Sequence, residues 1–401
     1  MLVPLPRLRG AKSWVLSCGA VALVGVVVAA VTGAPGPTDG APAVRRPPPD
    51  EVIATVDARD RGARAAAAAG DVAAAAALVR ADLAAARATG DPRPLGRARA
   101  TLAAWAAVAE PPAPLGLLRA TVAQALHDFP AARADLDRLI AAAPDDAQAR
   151  LTRAVVALVT GDRATAAADC AAVEQEVGAL WGAACAAPLA ATRGGGPAGR
   201  QRLRAALASA GDHPARAWAL TALAELERQL GDDRAAELAL RQAVAADAAD
   251  LYAQGALADL LLDAGRPAEV VVLLAEASAE HLVVRRAIAL HQSAPGSAAT
   301  AADRAALTAR FADRVDPADE LHLRERARFR LAIVGDPRGA LADAVANWAQ
   351  QRELADARLV LAAARAAGDR AAAAPVLAWL DAVGVDDAVS AGDRAALGGA
   401  P

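Results

Sequence analysis

"LLRATVAQALHDFPAARADLDRLIAAAPDDAQARLTRAVVALVTGDRATAAADCAAV", residues 117–173, states one pattern twice. Leu117-Leu118-Arg119-Ala120 returns as Leu151-Thr152-Arg153-Ala154, an offset of 34. The turn at His127-Asp128 returns at the same interval as Gly161-Asp162. Further along, Gly231-Asp232 and Gly265-Arg266 are again 34 apart, and Gly335-Asp336 and Gly368-Asp369 are 33 apart. The gaps from 161 to 231 and from 265 to 335 are equal, and each spans two units plus two. RGGGPAG (193–199) and SAPGSAAT (293–300) supply a degenerate turn inside each gap, and GDPRPLG (90–96) lies one unit before His127. The period holds from about residue 72 to about 386, too long a run for coincidence in an alanine-rich chain.

Each unit reads as two helices. Leu151, Ala154, Val155 and Leu158, and again Leu257, Leu260, Leu261 and Ala264, follow the i, i+3, i+4, i+7 spacing of one helical face. Glycine at the turn suits a left-handed C-cap, and the aspartate after it caps the next helix. Alanine recurs where two helices must approach closely. On first helices it stands at 120, 154, 224 and 258, and on second helices at 132, 166, 236, 340 and 373. Pro144 falls where a second helix should stop. The pattern predicts nine hairpins, near 72–111, 113–146, 147–180, 181–216, 217–250, 251–284, 285–320, 321–353 and 354–386. A capping helix within 51–71 precedes this solenoid (72–386), and a C-terminal cap, 387–401, closes it.

A 34-residue helix–turn–helix period is that of the tetratricopeptide repeat (TPR). The chain resembles TPR proteins over the whole of 72–386. More narrowly, the 117–154 stretch, with WALTALAELERQLGDDRAAE, LLLDAGRPAEVVVLLA and GDPRGALADAVANWAQQRELADARLVLAAA, is similar to a family of exported bacterial repeat proteins without an assigned biochemical activity. The resemblance implies an all-α, right-handed solenoid that binds protein or peptide partners. One departure stands out: the large aromatics common in this repeat are mostly replaced by Ala or Leu, so no aromatic pocket carries over.

The N-terminus reads as a membrane signal. Arg7, Arg9 and Lys12 precede an uncharged stretch with an apolar heart from Trp14 to Thr32. That heart is close to the roughly 20 residues that a membrane helix needs, and the preceding positive charge places the body outside the cytoplasm. Residues 1–33 are thus a signal-anchor or a signal peptide. An A-x-A-like site at Ala41-Pro42-Ala43 lies well past the apolar run, so length favours the retained anchor. A lipoprotein reading at Cys18 is weaker, because most of the apolar run follows that cysteine. Residues 34–50, APGPTDGAPAVRRPPPD, are a Pro/Gly-rich spacer. The expected location is the periplasmic side of the inner membrane, or the soluble periplasm if the N-terminus is cleaved.

Composition removes several function classes. Net charge is −3, aromatics are 2%, and no basic stripe is interleaved with aromatics, which argues against nucleic-acid binding. Catalysis needs convergent groups. His127, His213, His281, His291 and His322 are scattered over different hairpins, with no H-E-x-x-H, phosphate loop or G-x-S-x-G motif. No cofactor or metal is expected. Cys170 and Cys185 flank a predicted turn at Gly178 almost symmetrically, which sets them at one height on antiparallel helices. In an oxidising compartment such a pair closes as a disulfide; the alternative is two buried thiols.

Ligands of stacked hairpins usually sit on the concave face, lined by first helices. In hairpins 5 and 6 the inward positions hold Trp218, Thr221, Glu225, Arg228, Tyr252 and Asp259, the candidate partner-binding residues. Trp218 and Tyr252 also suit simple packing between repeats. The Arg-dense HLRERARFR (322–330) is expected to be a solvated face. The sequence therefore reads as a non-enzymatic protein–protein interaction scaffold of the bacterial envelope. The alternative is an accessory subunit of an inner-membrane transport, metal-uptake or cofactor-maturation assembly.

Overall fold

The computed structural model describes residues 58–312 and 323–398, and an antiparallel pairing of Leu2–Pro4 with Trp14–Leu16. Apart from Trp14–Leu16, the expected membrane segment Trp14 to Thr32 lies outside the described residues, as does the 34–50 spacer. Among the described residues no helix is long and apolar enough to cross a membrane.

The described body is all-α. Helix α1 (Ala58–Ala68) leads into α2 (Val72–Thr89) and α3 (Arg93–Thr101), the first hairpin. Hairpins 2 to 4 follow as α4 (Ala113–Ala125) with α5 (Phe129–Ala142), α6 (Ala147–Thr160) with α7 (Arg163–Val177), and α8 (Ala179–Ala190) with α9 (Gly196–Ala208). Hairpins 5 and 6 are α10 (Arg216–Gln229) with α11 (Asp233–Ala246), and α12 (Leu251–Asp263) with α13 (Pro267–Leu273). Hairpin 7 is α14 (Glu280–Ser293) with α15 (Ala298–Ala312). In hairpin 8, α16 (Leu323–Phe329) widens into a π turn over Arg330–Val334 before α17 (Pro337–Gln350). Hairpin 9 is α18 (Leu354–Ala367) with α19 (Arg370–Val383), and α20 (Ala391–Ala396) ends the described chain.

The turns work as their residues dictate. Gly161 adopts φ +85°, and Asp162 beside it accepts a hydrogen bond from the Thr165 amide at 3.1 Å. Asp232, Asp336 and Asp369 cap α11, α17 and α19 in the same way. Each such cap stabilises its helix by about 1 kcal/mol. His127 takes the glycine's place in hairpin 2 with φ +59°, a strained conformation for a side-chain-bearing residue. Its ring stacks on Phe129 at 5.5 Å and meets the Gln351 side chain at 2.9 Å, contacts that offset the strain.

All nine alanines at the repeat positions are 0% exposed. A larger side chain there would hold paired helices apart, which is why small residues recur at those points. One boundary departs from the expected periodicity. Helix α13 stops early, and the first helix of hairpin 7 begins at Glu280 instead of 285. The chain can leave the helix at 274–279 because the carbonyls freed there gain a donor: Arg286 Nη1 donates to Ala275 and Ala277, each at 3.2 Å.

That arginine belongs to a recurring device. Arg119 pairs with Asp135, Arg153 with Asp169, Arg286 with Asp303 and Arg326 with Asp343, each joining the first helix of a hairpin to its second. Arg119 also donates to the carbonyls of Trp105 and Val108, closing the preceding loop as Arg286 does. The expected solvated face at 322–330 is corrected by the same geometry. Arg324 binds Asp356, Arg326 and Arg330 bind Asp343, and Arg328 binds Asp259. Arginines spread around one helix reach carboxylates on several neighbours, so the segment is interior ion-pair framework.

Cys170 on α7 and Cys185 on α8 are joined in a disulfide with Cα atoms 5.4 Å apart. Gly182 makes this approach possible: a Cβ there would lie 2.3 Å from Glu174 Cβ. The crosslink closes a loop with a sequence separation of 15, and reducing it or substituting both cysteines by alanine should cost at most about 3 kcal/mol. The expected loss is local, so hydrogen exchange with and without reductant should speed up most in α8 and α9. Uniform exchange rates across the chain would contradict this.

Candidate functional site

The first helices of successive hairpins form the inner row of the stack, and all six candidate residues lie on it. The row is not an open groove. The C-terminal hairpin and the segments flanking it are seated across hairpins 3 to 5, held by main-chain bonds. The Arg352 amide donates to the Val159 carbonyl at 2.8 Å, the Arg193 amide to Gly384 at 2.7 Å, and the Ala388 amide to Gln229 at 2.9 Å. Asp386 donates its amide to Ala191 and accepts from the Gly194 amide, while Thr192 and Val385 pair as a single antiparallel bridge. The concave face expected to hold ligands is thus partly covered by the chain itself, because the stack curves far enough to bring its last hairpin onto its own inner face.

The inner row lines two partly open cavities among the described residues. The first, of about 170 Å³, is lined by Trp218, Thr221, Glu225 and Tyr252 together with α6, α8 and residues of the last hairpin. The second, of about 530 Å³, is lined by Arg228 and Asp259 with α14, α18 and α20. The six predicted residues therefore divide between two chambers.

Their partners are mostly internal. Trp218 packs against the buried Trp181 ring at 5.7 Å, and Thr221 donates its hydroxyl to the Ala217 carbonyl of its own helix at 3.2 Å. Tyr252 donates its hydroxyl to the Glu225 carboxyl. Burial raises the Glu225 pKa to about 7 against the opposing effect of that hydrogen bond. The Tyr252 hydroxyl is pushed well above its usual value, first by burial and then by Glu225. Asp259 is partly buried, but the guanidinium of Arg285, at 2.8 Å on two bonds, and that of Arg328, at 3.1 Å, overcome the burial and hold it ionised well below the ordinary range. Arg228 pairs with Asp263.

Residues outside the predicted set complete the site. Arg324 bridges Glu353 and Asp356, and burial raises the Asp356 pKa despite that partner. Arg358 holds Asp387 at 2.6 Å. These pairs join hairpins 8 and 9 to each other and to the residues that follow them, and closure sets Glu353 and Arg358 against hairpins 3 to 5 in the first cavity.

Gly384 is the point where this closure is most sensitive. It has φ +68°, and a Cβ would come within 2.7 Å of Arg193 Cγ. Gly384→Ala should therefore cost about 1–2 kcal/mol from left-handed backbone strain. Exchange of the Arg193, Asp386 and Ala388 amides should accelerate together. If only Arg193 changes, these contacts do not open as a unit.

No protein-family model matches the chain, and no curated protein matches it. Among solved structures it is similar to the crystal structure of the TPR domain of P58(IPK), at 16% identity over 75% of this chain and 99% of that one, with a TM-score of 0.22. The TPR-like class of the fold accordingly rests on the hairpins themselves: their period, capped turns and fully buried alanines.

Proposed function

We propose that this chain is a non-enzymatic interaction scaffold of the bacterial envelope, exported and held at the periplasmic side of the inner membrane by its N-terminal segment. If that segment is cleaved, the scaffold is soluble in the periplasm. The observation that carries the binding role is the inner row itself. It already accommodates a helix, α18, together with extended flanking residues that bond main chain to main chain. A protein or peptide partner of similar form would use the same mixture of apolar contact and a few charges, in competition with the C-terminal hairpin.

A second reading, an accessory subunit of an inner-membrane assembly, is favoured by a different feature. Leu238 on α11 and Val272 on α13 are 61% and 78% exposed and stand one repeat apart, at equivalent points of successive second helices. A partner docking there would leave the partly covered inner face undisturbed.

Photo-crosslinking in cells separates the two. A crosslinker at position 238 or 272 that captures one integral membrane protein supports the accessory subunit. Capture of extended clients only by a crosslinker at position 218 or 355 supports the inner-row scaffold. Specific capture from neither face would overturn the scaffold proposal.

A further inference from the structure

The smaller cavity has a charge left over. Five charged side chains line it: Arg163, Glu225, Arg352, Glu353 and Arg358. Three are satisfied within the protein, Glu353 by Arg324, Arg358 by Asp387 and Glu225 by Tyr252. The two remaining arginines have no carboxylate partner among the described residues. Arg163, half-buried at the start of α7, reaches only the Leu189 carbonyl, at 3.3 Å. Burial alone lowers its pKa, the mark of a cation without a counter-ion. Arg352 is exposed, and its side chain runs beside Gly161, two residues before Arg163.

Behind these cations the wall is apolar. Val155, Leu158, Trp218, Leu354 and Trp379 line it, and Arg163 and Arg352 share that lining. Its volume of about 170 Å³ is close to that of an engineered apolar cavity of about 150 Å³ that takes up benzene. A guanidinium binds a carboxylate through paired, charge-assisted hydrogen bonds.

We propose that this cavity binds a small monocarboxylic acid with an apolar body of about benzene's size, its carboxylate held by Arg163 and Arg352. The rings of Trp218 and Trp379 flank the apolar body, and Glu225, bonded to Tyr252, adds a polar group to the wall. Such binding is independent of whether the outer surface also carries a protein partner.

The test is a titration of the full chain with benzoate and hexanoate against their neutral isosteres, benzamide and hexanamide, in buffer free of other carboxylates. Calorimetry gives the affinities, and tryptophan fluorescence reports on Trp218 and Trp379. The carboxylates should bind saturably and at least ten-fold tighter than the amides. Arg352→Gln, at an exposed position that leaves the fold intact, should remove most of that discrimination, and Arg163→Gln should remove it as well. Arg234→Gln, an exposed arginine away from the cavity, should leave it unchanged. Equal binding of acids and amides, no saturable binding of either acid, or full discrimination retained in Arg352→Gln would each overturn the proposal.

Discussion

Asp169→Ala should destabilise the chain by about 3–5 kcal/mol, the range for removing one partner of a buried ion pair. Asp169 is 0% exposed. It accepts from Arg153 Nε at 2.7 Å and Nη2 at 2.8 Å, and from Arg150 Nη1 at 3.0 Å. The Arg153 pKa is raised, first by the hydrogen bond to Asp169. Removing the carboxylate leaves two mostly buried guanidiniums without it, and Asp137 can satisfy only Arg153. The matched control is Asp137→Ala. Its side chain is 46% exposed, so its loss should cost below about 1 kcal/mol. Urea unfolding of both variants gives the comparison. Equal effects would show that Asp169 is no more than a surface partner.

The second large effect depends on pH. Glu225 has its pKa raised by burial from the ordinary 4.5 to about 7 in the folded state. Below pH 4.5 both folded and unfolded chains carry the proton. Between about 4.5 and about 7 the unfolded chain releases it and the folded chain keeps it, so stability falls as pH rises and levels off above the folded value. The span corresponds to about 3 kcal/mol, at roughly 1.4 kcal/mol per pH unit. Other carboxylates act in the opposite sense: Asp387 and Asp259, held low by arginines, contribute stability that is lost in acid. A wild-type curve alone therefore mixes both signs. The difference between Glu225→Gln and wild type isolates one group. It should grow in favour of the variant by about 3 kcal/mol from pH 4.5 to pH 8. A difference that stays constant across that range would mean Glu225 is solvated.

Much of the local architecture could be read before any coordinates. Arg119 and Arg153, 34 apart, and Asp135 and Asp169, also 34 apart, stand in the same repeated stretch that reveals the hairpins. The signal for the ion-pair ladder was therefore present, but a one-letter repeat does not say that a charge on one helix reaches the other. The paired cysteines and the alanine positions needed only the hairpin's own symmetry.

The sequence by itself determined the repeat, its capped turns, the close helix contacts and the residues that point inward, because each depends on neighbours within one unit or the next. What those inward residues face was decided by the tertiary structure alone. A stack turns by a small angle at every repeat, and the angles accumulate until Arg352, Gly384, Asp386 and Ala388 bond to hairpins 3 to 5. No motif records that sum. It is why Trp218, Glu225 and Tyr252 line a partly covered cavity instead of an open groove, why Glu225 holds its proton near neutrality, and why Arg163 and Arg352 share one chamber.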